Sequence, residues 1–321
     1  MKKFLKLKNV LTLLCISVLV LSCSDDDDGD VARPEENVVE LASADANLSS
    51  LVAALQAADG DLPSVLQGDG PFTVLAPTNA AFDAYLDGRQ LGDIPTDELA
   101  QVLLNHVISD EITSRELINA VSGYASSNAD GPTAGTKLSL YFNTDSGLTF
   151  NGQADVTQGG ADIIASNGTI HVVDAVITLP TIVTFATADS QLDTLESVLT
   201  TDIINTLGTA NGTAPAPFTV FGPTNEAFAQ LSEAPTGDAL VSVLLHHVIA
   251  GNNIVSSDLS DGLESPVTLE GDILIFSEDG NSFSITDGSG NEGIDISFVN
   301  IQATNGVIHI IDGVLIPDSG N

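Results

Sequence analysis

Five histidines are the chain's only side chains built to exchange protons near neutral pH: His106, His171, His246, His247 and His309. Two of them stand in matching phrases. "NGTIHVVDAVI", residues 167–177, holds His171 and Asp174, and "NGVIHIIDGVL", residues 305–315, holds His309 and Asp312. A histidine with an aspartate nearby is the base and orienter of a nucleophilic triad. The spacing argues against that use, because in a strand residues three apart point to opposite faces. No G-x-S-x-G turn supplies a serine either. Both phrases therefore predict strands whose histidine fixes architecture, its ring nitrogens bonded to backbone or to a carboxylate.

His246 and His247 are adjacent, and adjacent helical residues point about 100° apart, which does not let them share one ion. Neither an H-x-x-x-H pattern nor a cysteine accompanies them, so no zinc site and no cofactor are expected. "GSGNEG", residues 288–293, satisfies G-x-G-x-x-G, but "IDISFVNI" after it reads as a strand where a dinucleotide fingerprint needs a helix. The same loop offers Asp287, Ser289, Asn291 and Asp295 as alternate oxygen ligands, a weak calcium candidate. It lacks the sixth-position glycine and distal glutamate of an EF-hand loop, so a polar hairpin is the plainer reading.

The elements that position these residues must be built from an unusual composition. The chain has 321 residues, enough for two domains, and 43% are hydrophobic. Tryptophan is absent and methionine occurs once, which leaves cores of Val, Ile, Leu, Ala and Phe. There are 44 acidic and 8 basic residues, and after Lys137 no Lys or Arg occurs. Such a chain has no phosphate-neutralising patch for nucleic acid and is repelled by anionic membrane surfaces. The charge serves solubility in salt, with dissolved cations screening self-repulsion; the alternative is a surface that collects divalent cations.

The N-terminus reads as an address. Lys2, Lys3, Lys6 and Lys8 precede the short apolar run "VLTLLCISVLVL", residues 10–21, which fits a signal peptide over 1–22. Cys23 follows Val20-Leu21-Ser22, which resembles the bacterial lipobox, and lipidation of Cys23 is expected. "SDDDD" after it resembles the tag that sends Bacteroidetes lipoproteins to the outer face of the outer membrane. An acidic tether then runs over 23–36. Cys15 would leave with the signal, so the mature chain would hold no disulfide and no thiol nucleophile.

From residue 37 the sequence repeats once. "VVELASADANLSSLVAAL" (38–55) parallels "IVTFATADSQLDTLESVL" (182–199), and "PFTVLAPTNAAF" (71–82) parallels "PFTVFGPTNEAF" (217–228). "LLNHVI" (103–108) parallels "LLHHVI" (244–249), ahead of the two histidine phrases. A period near 140 residues means two copies of one domain, 37–178 and 179–317, followed by a tail over 318–321. The join at Thr178-Leu179-Pro180-Thr181 leaves almost no linker, so the domains are expected to touch and move little. Each copy reads as helices first and strands later. Thr78 is placed to N-cap a helix, and His106 and His247 lie on apolar helix faces with Leu99, Val102 and Leu103, or Leu240, Val243 and Leu244. Asn167-Gly168 and Asn305-Gly306 signal hairpins.

These phrases together resemble the fasciclin domain family over nearly all of 37–317. "FTVLAPTNAAF" and "FTVFGPTNEAF", with Thr78, Asn79, Thr224 and Asn225, look like its first signature; the phrases with His171, Asp174, His309 and Asp312 look like its second. His106 and His247 fall where the family has a Tyr-His pair. The resemblance implies an α+β fold, two domains each with a wedge-like β-sheet packed against several α-helices. It also implies an extracellular adhesion or matrix-binding role without catalytic residues. The partner would be an extracellular protein or polysaccharide, the membrane contact the N-terminal lipid only, and nucleic acid no partner. Asn105 and His246 replace the family tyrosine, which weakens any carry-over of the integrin binding linked to that region in animal members. A secreted carbohydrate-active enzyme would instead need a carboxylate pair in a cleft. A polysaccharide-binding accessory protein would need exposed aromatics, for which Tyr85, Tyr124 and Tyr141 are the candidates.

Overall fold

The computed structural model describes residues 33–280 and 282–318. The expected signal peptide, Cys23, the expected tether up to residue 32 and the last three residues of the tail lie outside the described residues. Residues 33–36, expected to end the tether, already belong to the fold: Arg33 pairs with Glu111, and the Glu36 carbonyl accepts from Ser166 N.

The first domain opens with Val38–Ala44, a helix closed at its start by Asn37 and Glu40 in a reciprocal capping box. Helices Ser49–Ala57, Leu62–Leu66, Asn79–Leu86, Thr96–Leu104 and Ser114–Ala120 follow among the strands. Eight strands alternate with them: β1 Phe72–Pro77, β2 Val107–Ile108, β3 Ser122–Asp130, β4 Lys137–Asn143, β5 Thr149–Phe150, β6 Ala154–Asp155, β7 Ile163–Ala165 and β8 Gly168–Val173. They form two sheets, ordered β2-β1-β8-β7 and β3-β4-β5-β6. The second domain repeats the plan with β9 Phe218–Pro223, β10 Val248–Ala250, β11 Ile275–Asp279, β12 Ser282–Thr286, β13 Ile294–Ala303 and β14 Gly306–Ile311, here in one sheet ordered β10-β9-β14-β13-β12-β11. The α+β architecture expected from sequence is the one observed.

The two signatures meet in the middle of each domain. β1, from the first, runs parallel to β8, from the second, with Leu75 opposite His171 and Pro77 opposite Val173. β9 and β14 do the same, with Phe221 opposite His309. On one side of the first pair lie Leu51, Leu55, Phe82, Leu99 and Leu103; on the other lie Leu140, Phe142 and Phe150 from the β3-β4 sheet. The central strands are buried on both faces, which is why they read as unbroken hydrophobic runs.

The motif residues hold these layers together. Thr78 Oγ1 accepts from Ala81 N and caps its helix as expected, and Thr224 Oγ1 accepts from Ala227 N in the same way. Asn79 reaches across to an earlier helix: its Oδ1 accepts from Ser50 N and its Nδ2 donates to Ala46 O. Asn225 repeats this with Thr194 N and Ser190 O. Asn167 accepts from Val38 N and donates to the carbonyls of Leu66 and Gly68, and Asn305 does the same with Ile182, Leu207 and Thr209. The glycine after each asparagine is required by crowding: a Cβ on Gly168 would stand 2.0 Å from Phe72 O, and one on Gly306 2.2 Å from Phe218 O.

The domains are joined by side chains as well as by the chain. Tyr124 Oη donates to Asp189 Oδ2 at 2.7 Å, and its ring meets Phe185 edge-on at 5.6 Å. Gln302 N donates to Ser139 Oγ, and Tyr141 is buried in the apolar core of the second domain beside Ile182 and Ile301. The expected contact between domains is thus a packed one. It also corrects the reading of Tyr141 as a sugar-stacking platform, since its ring is buried in this contact, while half-buried Tyr124 gives its hydroxyl and ring edge to it. Tyr85 packs half-buried against the first domain's core.

Candidate functional site

Each of the four repeat histidines is held by two backbone groups. His106 Nδ1 donates to Val102 O at 2.7 Å, and its Nε2 accepts from Ile177 N at 2.9 Å. His247 copies this with Val243 O and Leu315 N, also at 2.7 and 2.9 Å. Each ring ties the end of its helix to the segment that leaves the central strand. His171 and His309 take the opposite tautomer. Their Nε2 atoms donate to Ile112 O and Ile254 O, and their Nδ1 atoms accept from Asp162 N and Asn300 N.

These bonds require neutral rings, and burial enforces that. Desolvation lowers His106, His247 and His309 from 6.5 to about 4, against an opposing pull from the accepting carbonyls. His171 is lowered for the same reason. A ring with both nitrogens committed to backbone has no lone pair or proton left for a substrate. Asp174 and Asp312 do not touch their histidines. Asp174 Oδ1 accepts from Asp155 N and Asp312 Oδ1 from Asp295 N, each at 2.8 Å, so both aspartates clamp a neighbouring chain segment.

His246 is the histidine whose ring nitrogen faces a carboxylate. Its ring, with Glu270 and Asp272, brings possible ligand atoms within 4.8 Å of one another. Nδ1 lies 3.5 Å from Glu270 Oε2 and 3.4 Å from Thr268 Oγ1. The other nitrogen decides the chemistry. Nε2 accepts from Gly288 N at 3.1 Å, which leaves the proton on Nδ1, the atom facing the carboxylate. A metal ion bound at Nδ1 would need that proton moved to Nε2, against the Gly288 N–H. The cluster is built to hold a proton between a histidine and an acid. Burial lowers this histidine too, with Glu270, Asp272 and Asp287 pulling it back up.

The calcium-like loop is held by its own hydrogen bonds. The Asp287 carboxylate accepts from Ser289 Oγ, Asn291 N, Asn291 Nδ2 and Ile316 N. Asn291 therefore presents its amide nitrogen, not its oxygen, to Asp287. Asp295 lies beyond the loop in β13, opposite Ser284. The alternation in sequence reflects a carboxylate organising a turn that also ties down the segment at Ile316.

A groove of about 630 Å³ opens in the first domain between helix Ser114–Ala120 and β3, lined by Ile112, Leu117, Tyr124 and Phe142, with Asp110 and Glu116 as its acids. Both acids serve local backbone: Asp110 Oδ1 accepts from Glu111 N, and Glu116 Oε2 accepts from Thr113 N and Oγ1. The Thr113 bonds hold Glu116 below the ordinary carboxylate range, the wrong direction for a general acid. No sequence motif singles out this groove, because its walls are brought together from segments distant in sequence. Exposed Ile118 and Val121 stand beside it on the helix end.

Comparison with known proteins places the chain. A family model described as the Fasciclin domain matches residues 46–180 and again 190–317. Human periostin is 33% identical over 270 residues, covering 79% of this chain and 29% of periostin. Pig transforming growth factor-beta-induced protein ig-h3 is 30% identical over 270 residues, covering 79% of this chain and 36% of ig-h3. Protein sll1483 of Synechocystis is 39% identical over 146 residues, 44% of this chain and 73% of that protein. The chain thus spans about a third of the length of the animal relatives. A solved structure described as a FAS1 domain pair from the insect cell adhesion molecule fasciclin I aligns with a TM-score of 0.49 at 18% identity, covering 84% of this chain and 97% of that one.

Proposed function

This chain belongs to the fasciclin domain family, and from that premise we propose that it is a non-enzymatic adhesion or matrix-binding protein. Its place would be the cell surface, where a lipid on Cys23 anchors it to the outer face of the outer membrane. The observation that carries the reading is the fate of the titratable groups. Four buried histidines are spent on backbone and the fifth on an acid, and the groove's two acids serve turns. What the fold offers instead is a pair of domains locked by Tyr124, Tyr141 and Gln302. A stiff pair of this kind presents surface at a fixed spacing, which suits binding more than turnover. Its ligand would be an extracellular protein or polysaccharide. The test is retention of beads coated with residues 33–321 on surfaces carrying matrix proteins or cell-surface polysaccharides, read against beads carrying heat-unfolded protein. Retention by the folded protein alone is expected. No retention on any surface, with release of product from glycan or ester substrates, would replace adhesion by catalysis.

A further inference from the structure

The contact between the two domains joins unlike surfaces: the β3-β4 face of the first domain meets the second domain's first helix, Ile182–Ala188, and the part of β13 beyond its pairing with β12. Such a head-to-tail contact is not self-complementary, and two domains joined by it leave one copy of each surface bare among the described residues. Both bare copies can be found by following the repeat.

The first lies on the first domain. Phe185, Ala188 and Asp189 receive Tyr124 and Tyr141 in the second domain; 144 residues earlier stand Leu41, Ala44 and Asp45. Asp189 is 1% exposed, whereas Asp45 is partly open and Ala44 exposed. Leu41, Ala44, Asp45 and Ile163 line a surface pocket of about 390 Å³. Gln302, whose N–H meets Ser139, corresponds to Ile164, which is 37% exposed on the open edge of its sheet.

The second lies on the second domain. Tyr124 pairs with Tyr141 across β3 and β4, and Glu264 bridges Ile275 in the same way. Ala125 faces Leu140, and Ser265 N donates to Leu274 O. Leu140 and Phe142 point into the first domain's core, as Leu274 and Phe276 do in the second. Ile273 and Ile275 therefore stand where Ser139 and Tyr141 stand. They are 38% and 37% exposed, two large aliphatic side chains on an outward face of a very acidic protein.

We propose that a second copy of the chain covers both, docking its Ile273–Ile275 face onto the Leu41–Asp45–Ile164 patch and so repeating between chains the contact made within one. One substitution sets its strength. The Tyr124 hydroxyl that satisfies Asp189 is replaced by Glu264, which brings a carboxylate toward Asp45. With a formal net charge of −36 behind it, docking is weak in low salt and strengthens as ions screen the two surfaces. Each link adds two domains, and the rotation per link sets whether the chains form an open filament or a ring. The inference stands apart from the adhesion reading, since a monomer can adhere and an assembly can fail to.

Sedimentation velocity of residues 33–321, a compact unit by itself, tests this in 10 mM and 500 mM sodium chloride. Wild type is expected to be monomeric in low salt and to gain at least twofold in weight-average mass in high salt, rising with protein concentration. Glu264→Tyr should associate already in low salt. Ile273→Asp with Ile275→Asp should stay monomeric in both, and because these side chains are exposed, its circular dichroism and melting temperature should match wild type. A wild type that remains monomeric in high salt at every concentration overturns the proposal. So does association that persists in the double isoleucine variant, which would place the contact on another surface.

Discussion

Tyr124 and Asp189 stand on different domains, and the phenol of one donates to the carboxylate of the other at 2.7 Å. Asp189 is 1% exposed, and its second oxygen accepts from Gln191 N. The tyrosine is thus the partner that makes burial of this carboxylate tolerable. Burial, then the nearby Asp189, pushes the phenol well above its ordinary value, so it remains a donor at every physiological pH.

Tyr124→Phe keeps the ring contacts with Phe185 and Phe298 and removes only the donor. A buried acceptor left unpaired costs about 1–3 kcal/mol. The melting temperature should fall, and calorimetry should show the single transition of the coupled domains broadening or splitting in two. An unchanged transition would mean that the domains do not support each other through this pair.

The buried histidines give stability a pH dependence of known sign. In the unfolded chain they titrate near 6.5; in the fold His106, His247 and His309 are held to about 4. Between those values the unfolded chain binds more protons than the folded one, so stability is complete above about pH 6.5 and is lost as pH falls toward 4. A tenfold difference in proton affinity corresponds to about 1.4 kcal/mol, so each ring accounts for on the order of 3 kcal/mol across that window. Protonation of surface carboxylates relieves self-repulsion over part of the same range and works the other way. Urea midpoints from pH 7.5 to 4.5 should fall for wild type, and fall less steeply for His309→Gln. A flat profile in wild type would contradict neutral, buried rings.

Asp287 is expected to matter for its turn and not for calcium. Asp287→Ala removes an acceptor of four hydrogen bonds and should destabilise by about 1–3 kcal/mol. Asp295→Ala, in a strand beyond the loop, should do far less. Thermal unfolding in matched sodium, magnesium and calcium series should rise with all three, sodium needing the higher concentration. A saturable rise with calcium alone, lost in both variants, would make the loop a metal site.

Cys23→Ser should abolish lipidation and release the protein from the membrane, and replacing Asp25 to Asp28 by Ala should keep the lipid but lose surface display. Labelling with a fatty-acid analogue and external protease on intact cells read the two outcomes. Equal labelling of Cys23→Ser would remove the anchor from the account.

The repeat, its order and the cap at Thr78 were legible because they depend on local chemistry. The structural reading of His171 and His309 followed from strand alternation and from the lack of a serine on a G-x-S-x-G turn. What could not be read is where long-range partners lie. Nothing near Asn79 in sequence points to Ser50, and nothing near Tyr124 points to Asp189, 65 residues away. Aromatic residues without an assigned core look like ligand platforms until the neighbouring domain is in place. The loop at Asp287 left a weak calcium reading open beside the plainer hairpin for a related reason: a carboxylate gathering its own backbone and a carboxylate gathering an ion use the same residue types.

The claim that matters most is that the repeated histidines build the domains and do not act on a ligand. His106→Ala, measured on one preparation for both melting temperature and bead retention, tests it. Losing two backbone bonds and the packing of a buried ring should lower stability by about 1–3 kcal/mol, while protein kept below its melting temperature retains beads as wild type does. An unchanged melting temperature together with lost retention would contradict the account and make His106 a binding residue.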